Sequence, residues 1–153
     1  MATKETADLG PAHAPKPEAI HAFHEIEHEL KKQLVHLRHE HNKHEPESFA
    51  AARHLSDAAL VDFTAADFVA VRVATTAYGL ILFGKLRIPA LPTNANAGGP
   101  SPAFVHFRAF TEGPAEPARF HSFHTAESTD AADGRKTFRS LFTADDPLEW
   151  FDA

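Results

Sequence analysis

The chain of 153 residues contains no cysteine, one methionine, one tryptophan and one tyrosine. Without a thiol there is no disulfide scaffold, no thiolate zinc centre and no cysteine nucleophile. No apolar run approaches the roughly 18 residues of a membrane span, and the opening Met1–Glu5 lacks the apolar core of a signal peptide. These absences together favour the cytoplasm. Positive charge is also scarce: the net charge is −6, split evenly between residues 1–60 and 61–153. Neither half offers the basic surface that nucleic-acid binding needs.

What is abundant is histidine, phenylalanine and ordinary core residues. Hydrophobic residues make up 43% and charged residues 24% of the chain, the profile of a globular domain. Pro11, Pro15 and Pro17 mark residues 1–17 as a flexible leader. Residues 18–153 then read as a single α+β domain, with a helical part over 18–60 and a β part over 66–153.

From Glu18 to about Asn42 there is no proline or glycine. Ile20, Phe23, Ile26, Leu30, Leu34 and Leu37 recur at spacings of three and four. On a helical wheel they fall within about 70° of one line, which predicts a long amphipathic helix. Pro17 suits its first turn and Pro46 ends it. A second, shorter helix is predicted over 47–60, with Ser56 and Asp57 as residues that would cap or break it.

Beyond Asp67 the pattern changes to strands. Two are predicted over 68–73 and 78–88, joined by a tight turn near Thr76, with Gly84 marking a bulge or a close backbone approach. Residues 89–102 read as a long loop without structure of its own. Aromatic strands follow at about 103–111, 119–126 and 137–143. The last two share a Phe-basic-Ser-apolar-x-Thr-Ala-acid pattern, and Asp133-Gly134 between them is a good hairpin turn. The chain then closes on Pro147-Leu-Glu-Trp-Phe, an aromatic tail suited to packing back on the sheet. The resulting expectation is two N-terminal helices packed on a curved antiparallel sheet, or a small open barrel, of about five or more strands. This order resembles cone-shaped α+β folds of the nuclear-transport-factor type, but no motif names a family, and a fold alone does not assign function.

His24-Glu25-Ile26-Glu27-His28 satisfies the H-E-x-x-H pattern on the predicted helix. Histidines four apart share a helix face and chelate zinc, and the glutamate serves as general base. Glu47, on the next predicted helix, is a conceivable third ligand. Yet His24 and His28 lie about 105° and 145° from the centre of the apolar stripe, which points them to solvent. A looser set, His21, His24 and His28, would hold a divalent ion without the hydrolase chemistry, and His36, Glu40 and His44 form a second row. A zinc-dependent hydrolase using Glu25, or a simple zinc-binding protein, is the alternative these residues carry.

The same histidines permit a pH response. Nine of the twelve fall in residues 13–54, and protonating all twelve would take the formal charge from −6 toward +6. The helical half would then become cationic and able to dock on a membrane surface at low pH.

The leading reading is a non-enzymatic binding or interaction module without a cofactor. Phenylalanine on both faces of the predicted strands is more aromatic surface than one core needs. Tyr78, Phe104, His106, Phe107, Phe120, His121 and Phe123 are the candidate lining of an aromatic concavity for an apolar small molecule or a protein partner, including a second copy in a homo-oligomer. A weaker variant makes the concavity catalytic, with His106 or His121 as acid/base beside Tyr78.

Overall fold

The structure is a computed structural model that describes residue 4 and residues 7–95, 99–113 and 115–152. Its helix α1 (Pro17–His44) starts with Pro17 in its first turn and Glu18 at the positive end of the dipole. It finishes with His41, Lys43 and His44 at the negative end. The buried face carries Ala19, Ala22, Phe23, Ile26, Leu30, Leu34 and Arg38. Four of the six residues of the predicted stripe are buried, while Ile20 and Leu37 at its edges are half-buried.

The second predicted helix is divided. Pro46–Ala52 forms a 3₁₀ segment, and only Asp57–Leu60 is α-helical (α2). Ser56 accounts for the break, because its hydroxyl accepts from the Ala59 amide at 3.1 Å and so caps a new helix instead of continuing the old one. Buried Arg38 joins the pieces. Its guanidinium donates to the carbonyls of Leu55 at 2.7 Å and Ala52 at 3.3 Å, and pairs with Asp57.

Strands β1 (Asp8–Leu9), β2 (Phe68–Thr76), β3 (Gly79–Arg87), β6 (Phe104–Thr111) and β7 (Arg119–Phe123) form one antiparallel sheet in the order β1-β2-β3-β6-β7. The sheet is open, not a closed barrel. Part of the expected leader belongs to it: Asp8–Leu9 pairs with Ala74–Thr75, and His13 exchanges backbone hydrogen bonds with Val71 at 2.8 and 3.0 Å. The uncovered donors and acceptors along β2 explain why these residues are ordered against it. The predicted loop 89–102 carries a two-residue ladder between β4 (Asn94–Ala95) and β5 (Gly99–Pro100); part of it, residues 96–98, lies outside the described residues.

The expected hairpin between 119–126 and 137–143 does not form: Arg119–Phe123 pairs with β6 in the main sheet. It is β8 (Ala126–Thr129) that pairs with β9 (Lys136–Arg139) in a separate hairpin, because the shorter connection through Asp133-Gly134 brings those residues together. Gly134 sits in its turn at φ 71°, a left-handed conformation that favours glycine. Gly84 is a close approach, not a bulge. It pairs with Phe107 across the sheet, and a Cβ there would lie 2.2 Å from the Phe107 ring.

Alternation along β2, β3 and β6 gives the sheet two buried faces. Val71, Leu82, Leu86, Phe107 and Ala109 pack in one core with α1. Ala74, Ile81 and Phe83 point the other way and pack with Leu148 and Phe151 of the C-terminal segment. The aromatic tail does return to the sheet, on the face opposite the helix. Among the described residues no helix is long and apolar enough to cross a membrane.

Candidate functional site

The seven residues expected to line one concavity are divided between the two faces and the surface. Phe107 lies in the α1-side core, 5.5 Å from Phe68 and 6.4 Å from Phe23 between ring centroids. Phe120 and Phe123 pack on each other at 4.9 Å, also on the helix side. Phe104 is buried, with the Lys85 ammonium 5.1 Å from its ring centre. His106 follows the alternation to the opposite face, where it is 1% exposed. His121 is exposed, its Nδ1 2.6 Å from Ser122 Oγ. Tyr78 is 68% exposed, just after Thr76, whose hydroxyl accepts from the Tyr78 and Gly79 amides. The pleat sends neighbouring aromatics to opposite sides, so a run rich in phenylalanine serves two cores and leaves no common cavity between them.

A concave apolar site does exist, built from other residues. The first turns of α1 and the ends of β2, β3 and β6 enclose an open groove of about 720 Å³. Val71, Val73, Leu80 and Leu82 form its floor, and Pro17, Ala19 and Ala22 form the helical wall. His13, Lys16, Glu18, His21, Glu25 and Glu116 place polar groups around it. The cause is the size of the helix side chains. Phe23, Ile26 and Leu30 fill the space between helix and sheet, whereas Ala19 and Ala22 are too short to do so one turn earlier. The signal for this site was present as two alanines at the start of the apolar stripe and as alternate apolar residues in β2 and β3. The aromatic content drew the prediction elsewhere.

The H-E-x-x-H segment runs beside this groove along the exposed side of α1. His24 and His28 are exposed, as their wheel positions predict. His24 Nδ1 lies 3.6 Å from Glu27, and His21 Nε2 lies 3.7 Å from Glu25. The Glu25 carboxylate accepts the Ala118 amide at 3.2 Å, tying α1 to the segment before β7. Glu47, the conceivable third ligand, accepts from the Phe138 amide at 3.1 Å. Among the described residues no three His, Asp or Glu side chains converge on one point. In the second histidine-rich turn, His39 Nε2 lies 3.1 Å from Asp57, and His41 Nδ1 lies 2.7 Å from Ser48 Oγ. Ser48 in turn contacts Ser140 at 2.7 Å, and Ser140 contacts Thr125 at 2.9 Å. This buried hydroxyl chain joins α1, the 3₁₀ segment and the β8–β9 hairpin.

On the other face of the sheet a polar arrangement escaped the sequence reading. Arg72 donates to the carbonyls of Gly10 at 2.8 Å and Leu148 at 2.9 Å. Lys85 donates to Thr143 at 2.7 Å, Ala144 at 3.2 Å and Asp146 at 2.6 Å, in each case to the main-chain oxygen. Arg108 donates to the Phe151 carbonyl at 2.8 Å. Three strands thus each present one cation to the backbone of the C-terminal segment. Beside them the His106 ring stacks on Phe142 at 4.2 Å, and His124 stacks on Phe142 at 5.1 Å and on Phe151 at 4.6 Å. Burial, with the Lys85 ammonium and His124 adding to it, pushes the His106 imidazole down to about 3. Burial lowers His124 as well. Both rings are therefore neutral at pH 7, so His106 has no charge with which to act as an acid there.

No protein-family model matches this chain, and no curated protein or solved structure proved similar to it.

Proposed function

We propose that the protein is a binding module for an apolar small molecule, held in the groove between the start of α1 and the sheet. The observation that carries this reading is the groove of about 720 Å³ with its apolar floor and wall. That volume lies within the roughly 300–1,000 Å³ of small-molecule sites, which combine apolar linings with a few polar groups that orient the ligand. Val71, Val73, Leu80 and Leu82 would take the apolar body of the ligand. The rim at His13, Lys16, His21 and Glu116 would face its polar end. Leu80, 38% exposed on a strand, loses its contact with water when the groove fills, which supplies part of the driving force.

The test is titration with the solvatochromic dye Nile red, together with native mass spectrometry of the purified protein for co-purifying small molecules. Leu80→Glu puts a charge on the floor, and Val73→Tyr fills it. Each should weaken dye binding at least tenfold while leaving the urea midpoint close to that of the unaltered chain. Unchanged dye affinity in both variants would refute the groove as the site.

A further inference from the structure

The C-terminal segment, residues 143–152, is attached to the rest of the molecule in an unusual way. It follows Leu141 and Phe142, which belong to the α1-side core, and Phe142 bridges to Phe104 through backbone hydrogen bonds at 2.7 and 3.0 Å. Its own attachments are the cation-to-carbonyl bonds from Arg72, Lys85 and Arg108 and the ion pairs of Asp146 with Arg139 and of Asp152 with Arg108. Leu148 and Phe151 add packing in the second core, and Phe151 stacks on His124, a stack that Phe142 and His106 continue. Within that stack, neither ring nitrogen of His106 nor Nδ1 of His124 has a hydrogen-bond partner among the described residues. A buried polar group without a partner costs free energy that water would return on exposure. The segment that buries these nitrogens is therefore held against a standing cost.

The charges around the two rings come from every side. Lys85 of β3, Asp146 of the segment and Arg139 of β9 act on His106, together with His124 itself. Glu149 of the segment and Arg139 act on His124. Asp146 is shared: its carboxylate lies 3.3 Å from Arg139 and accepts the Thr143 amide at 2.7 Å. A proton on His106 would thus be enclosed with the Lys85 ammonium, and the nearest acid is already engaged elsewhere.

We propose that His106 and His124 make residues 143–152 an acid-released strap, which lifts from the sheet as a unit beyond Phe142 and bares Phe83, Lys85 and Arg108 while the α1-side core stays folded. Leu148 and Phe151 of the strap belong to the second core and none of its residues to the first, so its release does not dismantle the α1-side core. Strap carbonyls freed from the cations find water, as do the orphaned imidazole nitrogens.

The size of the effect follows from proton linkage. With the strap lifted, the His106 imidazole rises toward its ordinary value near 6.5, whereas beneath it burial holds the ring down to about 3. Between these limits each pH unit of acidification favours release by up to about tenfold, so His106 alone gives at most about 100-fold at pH 4.5. His124 adds to this in the same direction.

Trp150 is the only tryptophan of the chain and lies on the strap, 5.2 Å from Phe83 and 5.1 Å from the Arg108 guanidinium. Its emission, followed from pH 7.5 to pH 3.5 beside the far-ultraviolet helix signal of the full chain, reads strap and α1 separately. The expected result is a red shift of Trp150 and greater quenching by acrylamide at a pH where the helix signal is unchanged. In the double variant His106→Phe/His124→Phe, which keeps both rings in the stack, that transition should move down by at least one pH unit. Coincident Trp150 and helix curves, or the same midpoint in the double variant, would overturn the proposal. Should the variant not fold, hydrogen exchange of the unaltered chain decides, after correction for intrinsic rates. Protection lost from residues 143–152 ahead of α1 at pH 5 supports release, and simultaneous loss refutes it.

Discussion

The Lys85 ammonium on β3 lies 2.7 Å from the carbonyl oxygen of Thr143, 58 residues further along the chain. The same nitrogen reaches Ala144 and Asp146, so one side chain collects three carbonyls of a segment that has little pairing of its own. Replacing it by methionine keeps most of the stem and removes all three bonds. Hydrogen bonds from a charged donor contribute about 1.5–3 kcal/mol each at most, and these three share one nitrogen. Lys85→Met should therefore lower the stability measured by urea denaturation by about 2–3 kcal/mol. Trp150 should become more accessible to acrylamide in the native baseline.

The pH dependence of global stability follows from His106 with its sign fixed by linkage. The folded state, with the ring held down to about 3, binds fewer protons than the unfolded state between that value and about 6.5. Stability is therefore full above about pH 6.5 and falls as pH drops toward 3, by about 1.4 kcal/mol per pH unit for this one group. In His106→Phe the acid limb of a plot of unfolding free energy against pH should flatten by about that slope. An unaltered slope would show that other groups dominate.

Gly84 and Phe107 face each other across β3 and β6, and the ring occupies the space a side chain at 84 would need. Gly84→Ala forces that ring aside within a filled core, an overpacking that costs about 1–3 kcal/mol. Phe107→Leu in the same chain should recover part of this loss. The interaction energy would be read from a double-mutant cycle by chemical denaturation.

Arg38 is 5% exposed on α1 and supplies the polar contacts that hold the 3₁₀ segment and α2 against the helix. Arg38→Met should cost about 2–3 kcal/mol, since two buried carbonyl contacts and an ion pair go together. Asp57→Asn should cost under about 1 kcal/mol, because that carboxylate is half exposed and its partner keeps the carbonyls. Thermal unfolding of the two variants separates these outcomes.

His24 and His28 stand in solvent, with Glu25 committed to the Ala118 amide. Their joint replacement, His24→Ala/His28→Ala, should leave the melting temperature unchanged within about 2 °C, as for surface substitutions generally. Calorimetric zinc titration should show weak binding that the double variant reduces only in part. Near-stoichiometric, tight zinc binding abolished in the variant would reinstate the H-E-x-x-H reading.

The amphipathic helix, the β2–β3 pair and the turns at Thr76 and Asp133-Gly134 were legible because each depends on residues a few positions apart, whereas the partners of 119–123 and 136–139 were not. Spacing along α1 told which side of the helix is buried, and phenylalanine on both faces of the predicted strands told that both faces carry apolar side chains. The divided second helix was half legible, since Ser56 was recognised as a cap but the 3₁₀ geometry before it was not. The candidate site was read least well. Composition marked Phe104, Phe107, Phe120 and Phe123 as surplus aromatics. Each of them proved to have a place in a core.

Local periodicity, then, determined the elements and the buried face of each, because backbone geometry ties side-chain direction to sequence spacing. What lies opposite a face is settled by residues distant in the chain. Ala19 and Ala22 leave a groove only because Val71, Val73, Leu80 and Leu82 come to lie across from them. His106 is buried and neutral only because Phe142 and the carbonyl-bearing strap return across the sheet. No short-range pattern records such meetings, since they are set by how the filled volumes and unpaired polar groups of remote segments match once the chain has closed.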